Sequence, residues 1–156
     1  MRARSLTVVP AFTAAVLVGS GQAGAAPPAL PEAAGQPVAG SFVASIVPCD
    51  ADLCTTGQLG GDLPASYDFR LDGGVGGSVL TTRSGQLLGE DRVQIDWTSP
   101  TTATFTTTVD IVGGTGRYVQ ADGVLVATGT LDLQRSPQIV GSYTGTIDHV
   151  PGSAAD

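Results

Sequence analysis

Four carboxylates, Glu90, Asp91, Asp96 and Asp110, fall in or beside segments whose residues alternate between apolar and polar. A carboxyl pointing into an apolar interior loses hydration and holds its proton to higher pH, which makes it an acid/base candidate. Asp96 and Asp110 have polar neighbours of the same parity, as an outward, solvated face requires. His149 is the only histidine and lies just before Pro151 near the chain end, where a solvated side chain is expected. No Gly-x-Ser-x-Gly elbow occurs and the serines sit in turns, so nothing points to a serine hydrolase. One histidine and two cysteines do not build a metal cluster, and neither a metal nor a cofactor is expected.

The segment before residue 26 reads as an export leader. Arg2 and Arg4 precede an apolar or small-residue run from Leu6 to Val18, and Ala23-Gly24-Ala25 follows with small residues where a signal peptidase reads. That run is too short to cross roughly 30 Å of hydrocarbon, and no cysteine follows it for lipid attachment, so no membrane anchor is expected. Residues 1–25 are thus expected to be a signal peptide and the protein to be secreted. Cleavage there leaves five arginines and no lysine against fourteen acidic residues, a formal charge of −9. Such a surface repels phosphate backbones and anionic lipid, which disfavours nucleic-acid and membrane-surface partners. The Lys-free, Ala-, Gly- and Val-rich composition suggests a GC-rich bacterial genome.

In an exported chain, Cys49 and Cys54 read as a disulfide closing the small loop Asp50-Ala51-Asp52-Leu53. A redox pair usually has two intervening residues, and a metal pair would need further ligands. Asp50 and Asp52 read as solvated carboxylates.

The elements that must position these groups are strands. Residues 26–38 form a Pro/Ala-rich flexible lead-in without a period, and 149–156 a flexible tail. Between them, over 39–148, no helical period occurs, while glycine, threonine and β-branched residues recur. Tyr67, Phe69 and Leu71 alternate with Ser66, Asp68 and Arg70; Val93, Ile95 and Trp97 alternate with Arg92, Gln94 and Asp96. Phe105, Val109 and Ile111 share one parity, and so do Ile139, Tyr143 and Ile147. Period two means one buried and one wet face, as in antiparallel sheet. Turn signals such as Asp72-Gly73-Gly74, Ser99-Pro100 and Ser136-Pro137 delimit strands over 39–47, 56–60, 65–71, 76–83, 86–97, 102–112, 118–129 and 139–148, with a bend or bulge near Gly89. In-strand glycines 123, 129, 141 and 145 suit sharp coiling at barrel corners. The expected fold is all-β, a single antiparallel eight-stranded barrel, with a β-sandwich as the fallback.

One motif is distinctive: Gly113-Gly114-Thr115-Gly116-Arg117-Tyr118, followed by Ala121-Asp122-Gly123. Its glycines supply positive φ in a turn, Thr115 can bond nearby backbone, Arg117 ties the turn down, and Tyr118 packs at a barrel end. No helix follows it and the chain has no lysine, so it is not a phosphate loop. This motif, with Gly141-Ser142-Tyr143-Thr144-Gly145-Thr146-Ile147 and the stretch from Cys54-Thr55-Thr56-Gly57 to Tyr67-Asp68-Phe69, resembles the allene oxide cyclase/dirigent-like barrel superfamily, in particular its small secreted bacterial members. The resemblance covers residues 39–148. It implies an eight-stranded barrel with an apolar lumen open at one end. It also implies that such barrels bind apolar small molecules, and that some steer cyclisation or radical coupling without a cofactor; spirotetronate-type cyclases have a similar barrel. No catalytic set is matched residue by residue, so the resemblance assigns no catalytic residue.

The aromatic set Tyr67, Phe69, Trp97, Phe105, Tyr118 and Tyr143 is expected to face the barrel interior, and to line a pocket if the lumen is not filled. Three functions follow as expectations. The first is a secreted barrel binding a small apolar molecule in its lumen. The second is a cofactor-free cyclase or isomerase of an oxylipin- or polyketide-like substrate. The third is an extracellular structural or interaction module with a solid core.

Overall fold

The computed structural model describes residues 35–148; the leader expected over 1–25, most of the lead-in, and the tail including His149 lie outside the described residues. Threonine-, valine- and glycine-rich segments with period-two alternation form eight strands: β1 (Gln36–Val47), β2 (Leu53–Leu59), β3 (Ala65–Asp72), β4 (Val75–Thr82), β5 (Gly85–Trp97), β6 (Thr102–Gly114), β7 (Asp122–Asp132) and β8 (Ile139–Asp148). Each pairs antiparallel with its sequence neighbour, and β8 pairs with β1, closing the barrel. Closure removes the free edge strands of an open sheet, leaving overhangs such as Gln36–Ser41 of β1, which pair only with β8. The barrel is the expected class; the sandwich is not formed.

Four boundaries differ from the sequence expectations by three residues or more, one of them the end of β7, at Asp132 rather than 129. β1 starts at Gln36 rather than 39, so Pro37 and Val38 belong to the sheet. Proline is tolerated because this part of β1 has a strand partner only on the β8 side, where Pro37 faces Thr146; pairing with β2 begins at Phe42. β2 starts at Leu53 rather than 56, since Cys54 pairs with Val47 beside the Cys49–Cys54 disulfide. β7 starts at Asp122 rather than 118: β6 runs on to Gly114, and Gly116–Tyr118 form a single 3₁₀ turn. The β5–β6 register shifts between Leu88 and Gly89, where a bulge was expected.

The two barrel ends are built differently. At one end the connections β2–β3, β4–β5 and β6–β7 converge. There Leu63, Tyr118 and Ala121 from the connections bury against Val38, Ala65, Leu87, Ile111 and Ile147 from the strands. Burial of this plug stabilises that end, at about 25 cal/mol per Å² of apolar surface. At the opposite rim, which carries the disulfide loop, the inward-facing Leu53, Val93, Ile95 and Ile139 are only partly buried.

Candidate functional site

Inward positions alternate with outward ones along every strand, and several inward positions are glycine. Phe105 is paired with Gly129, Phe42 with Gly141, and Tyr143 with Gly40. A Cβ at Gly129 would lie 2.9 Å from Phe105 Cζ, and one at Gly141 2.7 Å from Phe42 Cε1. The glycines therefore give the rings the room that side chains would take, so the rings can lie across the lumen.

Phe42 sits at the centre. Its ring meets Phe105 edge-on at 6.0 Å and Tyr67 edge-on at 6.3 Å, while Tyr67 stacks on Phe69 at 6.4 Å. Edge-to-face contacts of this kind are favourable beyond their buried area. They partition the lumen into two cavities of about 50 Å³ each, both lined by Phe42, Tyr67, Phe105 and Thr107. The rim-side cavity adds Leu53, Thr55, Phe69, Val93, Ile95, Leu131 and Ile139. The inner cavity is lined by Leu59, Leu80, Val109, Leu125, Ala127, Tyr143, Ser78 and Asp91. One water needs about 10–15 Å³, and an engineered apolar cavity of about 150 Å³ binds benzene. Each compartment thus takes a few carbon atoms, and a larger guest must part the aromatic rings.

Asp91 is the charged group of this interior. It is 5% exposed on β5. Ser78 Oγ on β4 donates to its Oδ1 at 2.8 Å, while Oδ2 is buried without a hydrogen-bond partner. Burial pushes its pKa up from 3.8 to about 6, the Ser78 hydrogen bond opposing and Asp110 adding to the rise. Across the same cavity, burial raises the Tyr67 phenol to about 12, against the hydrogen bond its oxygen accepts from Thr55 Oγ1 at 3.4 Å. At neutral pH the inner cavity holds one carboxylate, mostly ionised, and a neutral phenol.

The other three carboxylates face outward. Asp110 Oδ2 accepts from Arg92 at 2.7 Å, Asp96 from Gln94 at 3.3 Å, and Glu90 is exposed. Of the six aromatic residues proposed as pocket lining, Tyr67, Phe69, Phe105 and Tyr143 line one cavity or both. Trp97 has inward parity but sits at the last position of β5, 55% exposed, and lines neither cavity. Tyr118 is buried in the end plug, outside both cavities. The hydroxyl of Tyr143 is committed to that plug: it donates to Gly60 O at 2.7 Å and accepts from Leu63 N at 3.1 Å.

The glycine motif laces two connections together. Thr115 N donates to Gln86 O at 2.8 Å, Gln86 N to Thr115 Oγ1 at 3.1 Å, and Arg117 N to Ser84 O at 3.0 Å. Gly116 adopts φ 62° against the Ser84 carbonyl, where a Cβ has no room. Arg117 holds the turn through its backbone, and its guanidinium lies 5.8 Å from the Tyr118 ring centre. With Arg83, Asp62, Leu63, Pro64, Thr82, Ser84 and Tyr118 it borders a surface cleft of about 460 Å³ on the plugged end.

Phe42, Ser78 and Thr107 were not identified from sequence as lumen residues, and Asp91 was not distinguished from the other three carboxylates. For Asp91 the signal is present, because it shares parity with Val93 and Ile95 whereas Glu90 shares parity with Arg92. Among the described residues no group of three or more His, Cys, Asp or Glu is placed to hold a metal ion. No protein-family model, curated protein or solved structure matches the chain.

Proposed function

We propose that this protein is a secreted barrel that binds a small apolar molecule in its lumen, entering at the rim that carries the disulfide loop. The observation that carries this reading is the pair of apolar cavities around the Phe42, Tyr67 and Phe105 rings. A lumen evolved only for stability would be filled to the density of an ordinary core. The disulfide is compatible with an oxidising, extracellular setting. Resemblance of the 113–118 turn to allene oxide cyclase/dirigent-like barrels points the same way. Native mass spectrometry of the disulfide-intact protein, before and after incubation with a lipid and polyketide extract, tests it. A stoichiometric adduct of small mass is expected. A bare protein mass after every extract would remove this reading and favour a structural role.

One observation favours a second reading, a cofactor-free cyclase or isomerase: Asp91 is buried with one oxygen unpaired, which pushes its pKa up to about 6, and faces the same cavity as the Tyr67 phenol. A buried carboxyl poised there can give or take a proton near neutral pH. Turnover of a bound polyene or oxylipin-like ligand, lost in Asp91→Asn, is the expected result. Binding without turnover would leave only the first reading.

A further inference from the structure

We propose that Asp91 selects the lumen ligand, which is an apolar molecule whose one polar group is a hydrogen-bond donor, an ammonium or a hydroxyl, held end-on at Asp91 Oδ2. The inference rests on the lumen-binding reading above and names the class of molecule that site takes.

The inner cavity is apolar on nearly every side: Phe42, Leu59, Leu80, Phe105, Val109, Leu125 and Ala127 offer no polar atom to a guest. Of its polar groups, the Tyr143 hydroxyl is already paired with Gly60 and Leu63, the Tyr67 oxygen accepts from Thr55, and Thr107 offers a neutral hydroxyl. Ser78 Oγ is spent on Asp91 Oδ1. Asp91 Oδ2 is left as a buried acceptor with no donor. An ionised carboxylate accepts and never donates, so its complement is a donor, best of all a cationic one. The same charge repels a carboxylate or phosphate guest.

Among the described residues no cation supplies that complement. On β5, Glu90 and Arg92 flank Asp91 but face outward; the Arg92 guanidinium pairs with Asp110 of β6 at 2.7 Å on the outer surface. On β3, Tyr67 faces the cavity and Asp68 faces away. β4 contributes the Ser78 hydroxyl, β6 Thr107 and Val109, and β8 Tyr143. The groups that face Asp91 are thus neutral, and the nearby charge that acts on it, Asp110, is negative. A donor-headed ligand would lay its apolar body among the aromatic rings and its head against the carboxylate.

Four probes of one shape separate the possibilities: cyclohexylamine, cyclohexanol, cyclohexane and cyclohexanecarboxylate. They are titrated at pH 8 into disulfide-intact, isotope-labelled protein in moderate salt. Binding is read from the amide signals of Gly76, Gly89 and Val109, the register partners of Asp91 and Ser78. The amine is expected to bind about tenfold tighter than cyclohexane and tighter still than the carboxylate, with the alcohol between. In Asp91→Asn, which keeps the side-chain shape, the amine should lose that advantage. If cyclohexane or the carboxylate binds as tightly as the amine, donor selection is wrong while lumen binding stands. If the amine binds without moving these three amides, it is collecting on the acidic exterior and the proposal fails. If none of the four binds, the proposal falls together with the lumen reading.

Discussion

Ser78 Oγ donates a 2.8 Å hydrogen bond to Asp91 Oδ1 between neighbouring strands, from positions that are not register partners. Ser78 is paired with Gly89 and Asp91 with Gly76, so the contact runs diagonally over the glycine. A Cβ at Gly89 would come within 2.6 Å of Ser78 Oγ and 3.1 Å of Asp91 Oδ1. The bulge between Leu88 and Gly89 and the missing side chain together let a carboxyl sit inside the barrel with one oxygen satisfied.

That carboxyl makes stability fall as pH rises. Burial raises Asp91 from 3.8 to about 6 in the folded protein. Between those values the unfolded chain has released its proton while the folded one still holds it, so the unfolded state is favoured progressively. Below 3.8 both states are protonated and the penalty is absent; above about 6 it is complete, at up to about 3 kcal/mol. Urea unfolding followed between pH 4 and 7 should show this decline, and Asp91→Asn should remove it. Equal slopes in wild type and variant would mean that Asp91 is not desolvated.

Two glycines on the same strand pair should respond oppositely to alanine. At Gly89 the added methyl collides with Val109 Cγ1 and Ser78 Oγ, and overpacking of this kind costs about 1–3 kcal/mol. At Gly77 the nearest atom to a Cβ is Gly89 O at 3.7 Å, an ordinary contact, and alanine restrains the unfolded chain. Gly77→Ala should therefore be neutral or stabilising by up to about 1 kcal/mol. Urea midpoints of the two variants decide the matter, and a Gly89→Ala protein as stable as wild type would contradict the packing described.

Much of this barrel can be read from alternation alone. Tyr67, Phe69, Phe105 and Tyr143 declare their inward face by parity, and the strands carrying them follow. Parity does not say how far along the barrel a side chain sits, which is why Trp97, inward by count, stands exposed at the rim. Tyr118 packs at a barrel end, as the glycine motif suggests, but it lines no cavity, because Gly116 turns the chain into a 3₁₀ turn where a period of two has no meaning. The two-cavity lumen depends on which residue lies opposite which, as with Phe42 and Gly141, and register is a property of the closed sheet. Asp91 shows the reverse case, a charge at an apolar parity that the pattern exposes once each acid is counted separately.

Tyr143→Phe tests the plugged end. Its hydroxyl serves Gly60 O and Leu63 N at once, so the variant leaves a buried N–H and a carbonyl unpaired, at about 1–3 kcal/mol. The ring remains and the inner cavity keeps its wall, so ligand uptake should not change. Hydrogen exchange at the Leu63 amide should quicken well beyond that of amides in β5 and β6. Unchanged exchange at Leu63 would show that the hydroxyl does not hold the connection in place.

Phe105→Ala separates lumen capacity from stability. The ring borders both cavities and meets Phe42 at 6.0 Å, so truncation joins the two compartments. Phe105 is partly buried, so loss of its ring costs at most about 3–5 kcal/mol, still a substantial part of the usual stability of a domain this size. In exchange, the joined space should admit guests that the wild-type partition excludes. Native mass spectrometry should then show a larger apolar molecule bound to the variant at concentrations where wild type stays bare, while the unfolding temperature drops. If uptake and size limit stay the same as stability falls, Phe42 or Tyr67 has collapsed into the gap. In that event the partition would reside in those rings and not in Phe105.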